Sequence, residues 1–191
     1  MLNPPGSSVS TDAILLDRLA RGDRAALDEL FRRYRGVAFR VAYRLLDNEA
    51  DALDAVQEGF VKVIRHVDRF GGRCALKTWV LRVVSNAALD LGRQRKRRQA
   101  RFVSATVDCP VDYDPADRMT EIERSELRKT VAEALAGLPE AQRLTFVLHV
   151  EGGFSYREVA DSLGVPIGTV MSRLFFARKR LQILLADRVQ A

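Results

Sequence analysis

Cysteine, histidine and long apolar runs are all scarce in this chain of 191 residues. Its two cysteines, Cys74 and Cys109, are far apart, and neither stands near another cysteine or a histidine at metal-site spacing. We therefore expect free thiols in a reducing compartment, with a redox role as the alternative, and no metal or other cofactor. No apolar run approaches the length of a membrane span, and the N-terminus lacks the basic-then-apolar pattern of a signal peptide. These absences predict a cytoplasmic protein with no membrane-inserted segment.

Catalytic patterns are missing as well. The sequence has no Gly-rich phosphate loop, no paired catalytic carboxylates and no nucleophile–base arrangement, and His66 and His149 are isolated. We expect neither an enzyme nor a small-molecule substrate. Positive charge is what the chain does have, because 31 Lys and Arg against 25 Asp and Glu give a net charge of +6. That excess favours a polyanionic partner without identifying it.

Helical periodicity runs through most of the chain and predicts an all-α fold. Residues 1–11 are rich in Pro, Gly and Ser and predict a disordered tail before a helix that starts at Ala13. From residue 102 to residue 117 the chain has four aspartates, two prolines and no Lys or Arg. This composition predicts a flexible acidic linker over residues 101–117. The chain therefore divides into two small helical domains, residues 12–100 and residues 118–191.

Local signals are strongest between Phe154 and Leu181. Ser155 and Glu158 have the S-x-x-E spacing of a capping box, in which each side chain satisfies an unpaired amide of the first turn. Gly164 ends that helix where a positive φ costs little, and Pro166 opens the next helix without losing a hydrogen bond. This pattern is typical of a helix-turn-helix, whose second helix enters the DNA major groove. A helical hairpin with solvated charges is the alternative interpretation.

The second helix of this unit has two distinct faces. Apolar residues at spacings of 4, 3 and 4 predict a buried stripe made of Val170, Leu174, Ala177 and Leu181. The opposite face carries Ser172, Phe176 and Lys179, flanked by Thr169, Arg173 and Arg180. Its charges are all positive, which favours DNA as the partner. Since Phe175 and Phe176 are adjacent and cannot both be buried, we expect one ring to pack in the domain and the other to lie against a thymine methyl group.

A helix predicted from Glu49 to about Val67 also has two faces. Its inward stripe steps by 3, 4, 3 and 4 through Leu53, Val56, Phe60, Val63 and Val67. Asp54, Gln57, Glu58 and Val61 share the opposite side. A solvated surface and a docking surface for a basic partner both fit this arrangement, and periodicity does not decide between them.

A Gly-bearing loop follows, and helical periodicity resumes near Leu76 and runs toward Arg98. The exposed side of this helix is predicted to carry Arg82, Asn86, Arg93 and Arg97. A solvated basic face is the plain interpretation. The neighbouring loop supplies aromatic side chains, however, and cationic grooves with aromatic side chains are typical of nucleic-acid binding.

Three motifs in the expected order make the region from about Ala25 to Leu185 resemble the extracytoplasmic-function (ECF) sigma factors, a two-domain class of bacterial sigma factors. The segment from Asp54 to Phe60 is similar to the D-x-x-Q-E-x-F helix of the family, which docks on the β′ clamp of RNA polymerase. The loop and helix that open and read the minus-ten promoter element are matched at Arg69, Phe70, Thr78, Trp79, Arg82 and Asn86. The domain that reads the minus-thirty-five element is matched at residues 137–139, 153–158 and 166–170.

The resemblance implies three sets of site residues. The polymerase-binding set is Asp54, Gln57, Glu58 and Phe60. The set that binds the minus-ten element is Arg69, Phe70, Arg73, Lys77, Trp79, Arg82 and Asn86. The set that binds the minus-thirty-five element is Arg143, Tyr156, Thr169, Ser172, Arg173, Phe176, Arg178 and Lys179. Met171 and Phe176 stand where members of the family often have arginine.

The partners implied by the resemblance are core RNA polymerase, through its β′ clamp and β flap, and promoter DNA. An anti-sigma factor is also implied, which can hold such a protein at the inner membrane. An autonomous helix-turn-helix regulator that never touches polymerase is one alternative, and an RNA-binding or scaffolding helical protein is another. The face at Asp54, Gln57 and Glu58 discriminates between them, because an autonomous DNA-binding protein has no need of it.

Overall fold

The computed structural model describes residues 7–99 and 121–189, and within these ranges the chain is helical and contains no strand. The all-α prediction is confirmed. The predicted linker at residues 101–117 lies outside the described residues. No helix in the described part of the chain is long and apolar enough to cross a membrane. The α-helices, in chain order, are α1 (Ser7–Ala20), α2 (Arg24–Leu46), α3 (Glu49–Arg65), α4 (Leu76–Gln99), α5 (Glu121–Ala136), α6 (Glu140–Val150), α7 (Tyr156–Leu163) and α8 (Ile167–Val189).

Helix boundaries in the N-terminal half follow from local capping. The side chain of Asp23 accepts a hydrogen bond from the amide of Ala25 at the start of α2, and that of Asn48 accepts one from Asp51 at the start of α3. One prediction needs correction, because α1 begins at Ser7 and so includes residues assigned to the tail. Helix α3 ends at Arg65, two residues before the predicted end, and a 3-10 turn follows at Val67–Arg69.

Helices α2, α3 and α4 pack against one another as a bundle, with α1 lying across α2. Their interior is an apolar core that contains Leu30, Val41, Val63, Val80 and Val84, all nearly inaccessible to solvent. Burial on this scale, at about 25 cal/mol per Å² of apolar surface, is the main force that holds the bundle together.

Small residues allow α3 and α4 to approach closely in this bundle. Ala52, Ala55 and Gly59 are buried along α3, and a Cβ placed on Gly59 would lie 2.7 Å from Cγ2 of Val84 in α4. Because α3 turns this small-residue side inward, Leu53 is displaced to the edge of the interface. The prediction that Leu53 points into the core is therefore wrong, since the side chain is 53% exposed.

Helices α5 to α8 form the second half, and α7 and α8 make the predicted helix-turn-helix. The capping box between Ser155 and Glu158 is present, and Gly164 ends α7 with φ 64°. All four residues of the predicted apolar stripe on α8 are buried. Val170 and Leu174 pack toward α6 and α7, whereas Ala177 and Leu181 pack against α5.

The two halves of the chain are in contact. Apolar residues of α6, α7 and α8 belong to the same continuous core as those of α2 to α4. Polar contacts border this interface, with Arg44 Nε 3.2 Å from Glu151 Oε1 and Arg93 Nη2 3.1 Å from Glu140 Oε1. The candidate sites of the two domains are therefore held close together in this arrangement.

Candidate DNA and protein interfaces

The outer face of α3 presents the predicted acid-and-amide group. Asp54, Gln57 and Glu58 are all exposed, and Glu58 pairs with Lys62 one turn later, with Oε1 2.6 Å from Nζ. Phe60 lies in the core and not on this outer face. Its side chain is 4% exposed, and its ring lies edge-on to that of Phe31 with 5.0 Å between centroids. The assignment of Phe60 to the docking surface is corrected accordingly, because its side chain lies in the core of the bundle.

Of the apolar part of the same face, sequence reasoning found Val61 but missed Leu53 and Ile64. Leu53, Val61 and Ile64 are exposed along α3 beside the polar group. Exposed apolar side chains interspersed with polar ones are the usual composition of a protein-binding surface. Periodicity alone assigned Leu53 inward, because a large apolar residue carries a stronger signal than Ala or Gly. We call the surface formed by Leu53, Asp54, Gln57, Glu58, Val61 and Ile64 the α3 face.

Three of the predicted minus-ten residues on α4, Trp79, Arg82 and Asn86, form a strip along one side of the helix, which we call the α4 strip. Trp79, Arg82 and Asn86 lie three and four residues apart and therefore share a side of the helix, where Arg82 and Asn86 are exposed and Trp79 is half-buried. Phe70, in the preceding loop, packs its ring 5.1 Å from that of Trp79. Arg69 is exposed at the end of the 3-10 turn. The aromatic pair thus anchors the loop to the helix beside a cationic and amide-bearing surface.

The remaining two minus-ten residues do not lie on this strip. Lys77 projects from another side of α4, and its Nζ lies 3.2 Å from the position of a Cβ built on Gly153, just before α7. Arg73 lines a cleft of about 800 Å³ between the two domains, together with Cys74 and Arg157. The structure therefore separates Lys77 from Trp79 and Asn86, and it places Arg73 where the domains face each other.

A hydrogen bond between α4 and α7 crosses this cleft. The hydroxyl of Thr78 donates to Glu158 Oε1 at 2.7 Å, although the residues are 80 positions apart. Burial opposes the charge on Glu158, but hydrogen bonds from Thr78 and Ser155 and the charge of Lys77 together lower the pKa of this carboxyl. One glutamate thus both caps α7 and links the two domains. Burial raises the pKa of the neighbouring Cys74 thiol, which keeps it protonated.

The outward face of α8 combines exposed cations with exposed rings. Ser172, Arg178 and Lys179 are exposed, whereas Thr169 and Arg173 are half-buried at the edge of the face. Phe175 and Phe176 are 61% and 55% exposed, and their rings meet edge-on with 5.4 Å between centroids. The expectation that one of the two rings packs in the domain is wrong, since the buried stripe lies on the other side of the helix.

Two of the residues predicted to contact the minus-thirty-five element, Tyr156 and Arg143, lie outside α8. Tyr156, at the start of α7, is half-buried and borders the concave surface that contains Phe175 and Phe176. Its ring lies 5.0 Å from that of His149, whose Nδ1 is within 2.7 Å of the carbonyl oxygen of Phe154. Arg143, in α6, is half-buried, and its Nε has no hydrogen-bond partner among the described residues.

Family models match both domains. The model described as sigma-70 region 2 covers residues 30–98, and that described as sigma-70 region 4 covers residues 128–181. The first match contains the α3 face and the α4 strip, and the second contains the helix-turn-helix. Both matches thus cover the surfaces that the geometry singles out.

Curated relatives are similar over nearly the whole chain. The ECF RNA polymerase sigma-E factor of Escherichia coli (strain K12) is 32% identical over 90% of this chain and 92% of its own length. That of Haemophilus influenzae is 30% identical over 90% of this chain and 94% of its own length. Fold, motifs and these relatives together define a two-domain promoter-recognition subunit. The chain belongs to the ECF sigma factors of the sigma-70 family.

Solved structures agree with this assignment. CnrH in complex with the cytosolic domain of CnrY has a TM-score of 0.70 and 27% identity, covering 92% of this chain and 97% of CnrH. RpoE in complex with the anti-sigma factor NepR from Bartonella quintana has a TM-score of 0.67 and 28% identity, covering 83% of this chain and 96% of RpoE. This chain is an alternative sigma factor, and its function is to direct RNA polymerase to promoters. The two alternative interpretations of the sequence, an autonomous helix-turn-helix regulator and an RNA-binding or scaffolding protein, are therefore not supported.

Proposed function

We propose that the α3 face binds core RNA polymerase at the β′ clamp. The observation that carries this proposal is the exposure of Asp54, Gln57 and Glu58 on a helix whose opposite side is fully buried. Two carboxylates and an amide pair with basic side chains and hydrogen-bond donors of a partner, and Leu53 and Ile64 add apolar contact beside them. A second contact, between the C-terminal domain and the β flap, is part of the same proposal and rests on family membership.

The α4 strip is proposed to open and read the minus-ten element. Trp79 is half-buried against Phe70, which leaves part of the aromatic pair available to stack on an unpaired base. The Asn86 amide offers both a donor and an acceptor to a base edge, while Arg82 and Arg69 supply positive charge for the DNA backbone. Lys77, which lies beside Gly153 of the other domain, is proposed to reach DNA when the cleft between the domains opens, whereas Arg73 is exposed at the cleft.

Helix α8 is proposed to enter the major groove at the minus-thirty-five element. Its first turns present Thr169, Ser172 and Phe176 for base contacts, with Arg173 at the edge. Arg178 and Lys179 lie two turns later and suit phosphates. Tyr156 and Arg143 flank the helix and add contacts to the DNA backbone.

Simultaneous use of both DNA surfaces requires the domains to separate. Residues 101–118 span at most roughly 56–61 Å when extended, which corresponds to about 16–18 base pairs. The contact between Thr78 and Glu158 holds α4 and α7 far closer together than that. We propose that this contact breaks when the chain engages polymerase, and that an anti-sigma factor binds the chain in its closed arrangement. The support for such an inhibitor is the similarity over both domains to RpoE solved with NepR.

These roles imply a regulatory subunit and not an enzyme, because sigma factors act by positioning polymerase. They also place the chain in the cytoplasm, where polymerase and DNA are found. Retention at the inner membrane is proposed only through an anti-sigma factor, since no described helix could span the membrane.

The α3 face is tested by pull-down of core polymerase with the full chain. Replacing Asp54, Gln57 and Glu58 together by Ala should abolish most binding, while helix content measured by circular dichroism stays unchanged because Ala is the best helix former. The matched control replaces Asp28 and Asp68, which are exposed on other elements and change the net charge equally. Full binding by the triple variant, or equal loss in the control, would refute the assignment.

A further inference from the structure

Three large apolar side chains are exposed on the DNA-facing side of α8. Met171, Phe175 and Phe176 are between 54% and 61% exposed, and all three border one concave surface. The rings of Phe175 and Phe176 contact each other edge-on. Each of these side chains lacks part of the hydrophobic stabilisation that full burial would supply. A ligand that covers them would recover this free energy.

Charge decides what kind of ligand covers this patch. From Ile167 to Ala186 the helix carries four basic residues and no acidic one. Arg178 and Lys179 border the same concave surface as the two rings. A polyanion with apolar groups on its surface is complementary to this combination, and double-stranded DNA is such a ligand.

The first turns of α8 are poor in groups that read purines by paired hydrogen bonds. Gly168, Thr169, Met171 and Ser172 include no guanidinium, ammonium or amide group, and the half-buried Arg173 lies at the edge. The Ser172 hydroxyl donates to the carbonyl of Thr169 at 3.0 Å, which leaves its lone pairs to accept from a base. Apolar contact is therefore the main readout that these turns offer. The only apolar group that a base presents in the major groove is the C5 methyl of thymine.

We propose that Met171, Phe175 and Phe176 form a thymine-reading patch, so that the upstream promoter element of this sigma factor is defined by more than one thymine methyl group. The inference rests on the proposed role of α8 at the minus-thirty-five element and specifies its base preference. Both rings take part, because both are exposed and neither covers the other completely. Arg178 and Lys179, which border the patch, hold the adjacent phosphates.

The test uses the full chain assembled with core polymerase and a duplex library of random sequence. After selection, each thymine of the enriched upstream element is replaced singly by deoxyuridine, which removes the C5 methyl and keeps the base pair. We expect more than one of these replacements to weaken binding about fourfold, the effect of burying one methyl group. Phe175→Ala and Phe176→Ala should each lose the thymine preference at a position where the unmodified chain shows it, measured at low salt so that the variants still bind.

Ile183→Ala is the matched control, because Ile183 is 56% exposed on the same side of α8 but lies about 12 Å beyond Phe175 along the helix. It should keep the full thymine preference. Equal binding of thymine and deoxyuridine duplexes by the unmodified chain would overturn the inference while leaving the proposed function intact. A selection that enriches no sequence would overturn the proposed function and this inference with it.

Discussion

Adding one methyl group to Gly59 should destabilise the N-terminal domain, although the same change elsewhere in a helix stabilises it. Replacing a helix-interior glycine by alanine is worth about 0.5–1 kcal/mol of stability, because alanine loses less backbone entropy on folding. At Gly59 the new Cβ would lie 2.7 Å from Val84 Cγ2 and 2.9 Å from Val84 Cα. Carbon atoms prefer about 3.5–4.0 Å, so α3 and α4 have to move apart by about 1 Å.

This movement weakens the packing along the whole contact between α3 and α4. One of the two clashing atoms belongs to the backbone of Val84, so a change of rotamer does not relieve it. Overpacking of this kind costs about 1–3 kcal/mol. Gly36 provides the matched control, because it is exposed in α2 and a Cβ there meets only Arg40 Nη1 at 3.7 Å. The intrinsic helix term is shared by Gly59→Ala and Gly36→Ala, so their difference in unfolding free energy isolates the packing cost.

Urea unfolding of both variants measures that difference. Trp79 is the only tryptophan of the chain and lies in α4, so its fluorescence reports on the domain that contains both glycines. We expect Gly59→Ala to be less stable than Gly36→Ala by about 1–3 kcal/mol, with a melting temperature of the N-terminal domain lower by roughly 4–8 °C for each kcal/mol. Equal stability of the two variants would show that α3 and α4 do not approach as closely as described.

Three further predictions concern the domain contact and the DNA surfaces. Hydrogen bonds and the charge of Lys77 lower the pKa of Glu158, so its contribution to the contact between the domains is present above the ordinary glutamate pKa and is lost as pH falls below it. Fluorescence energy transfer between the two domains should therefore drop on acidification of the unmodified chain. The drop should be smaller in Glu158→Gln, which keeps the capping box. Across a panel of promoter mutants, Arg173→Ala should cost about 1–3 kcal/mol and relax preference at one position, whereas Lys179→Ala should weaken all sequences alike and lower the salt slope by about one. Deleting six residues within 103–114 should leave both domains folded by circular dichroism but abolish transcription at native promoter spacing, and unchanged activity would refute the spacing role of the linker.

Local sequence determined the helices and the helix-turn-helix. The capping box at Ser155 and Glu158, the glycine that ends α7 and the stripe from Val170 to Leu181 are all fixed by residues within a few positions of one another. Hydrogen bonds and side-chain contacts at such short separation depend little on the rest of the chain. The exposure of Asp54, Gln57 and Glu58 was predicted for the same reason, because charged and amide groups stay in water unless they are paired.

Tertiary packing decided the rest. Ala52, Ala55 and Gly59 turn α3 so that Leu53 is exposed, which periodicity did not predict because small residues carry little hydrophobic signal but allow helices to approach closely. The burial of Phe60 agrees with its place in the predicted inward stripe. The contact of Thr78 with Glu158 joins positions 80 residues apart, and no local pattern encodes it. Sequence thus defined which surfaces the protein offers, and packing between distant helices determined which side chains occupy them and how near the two domains lie.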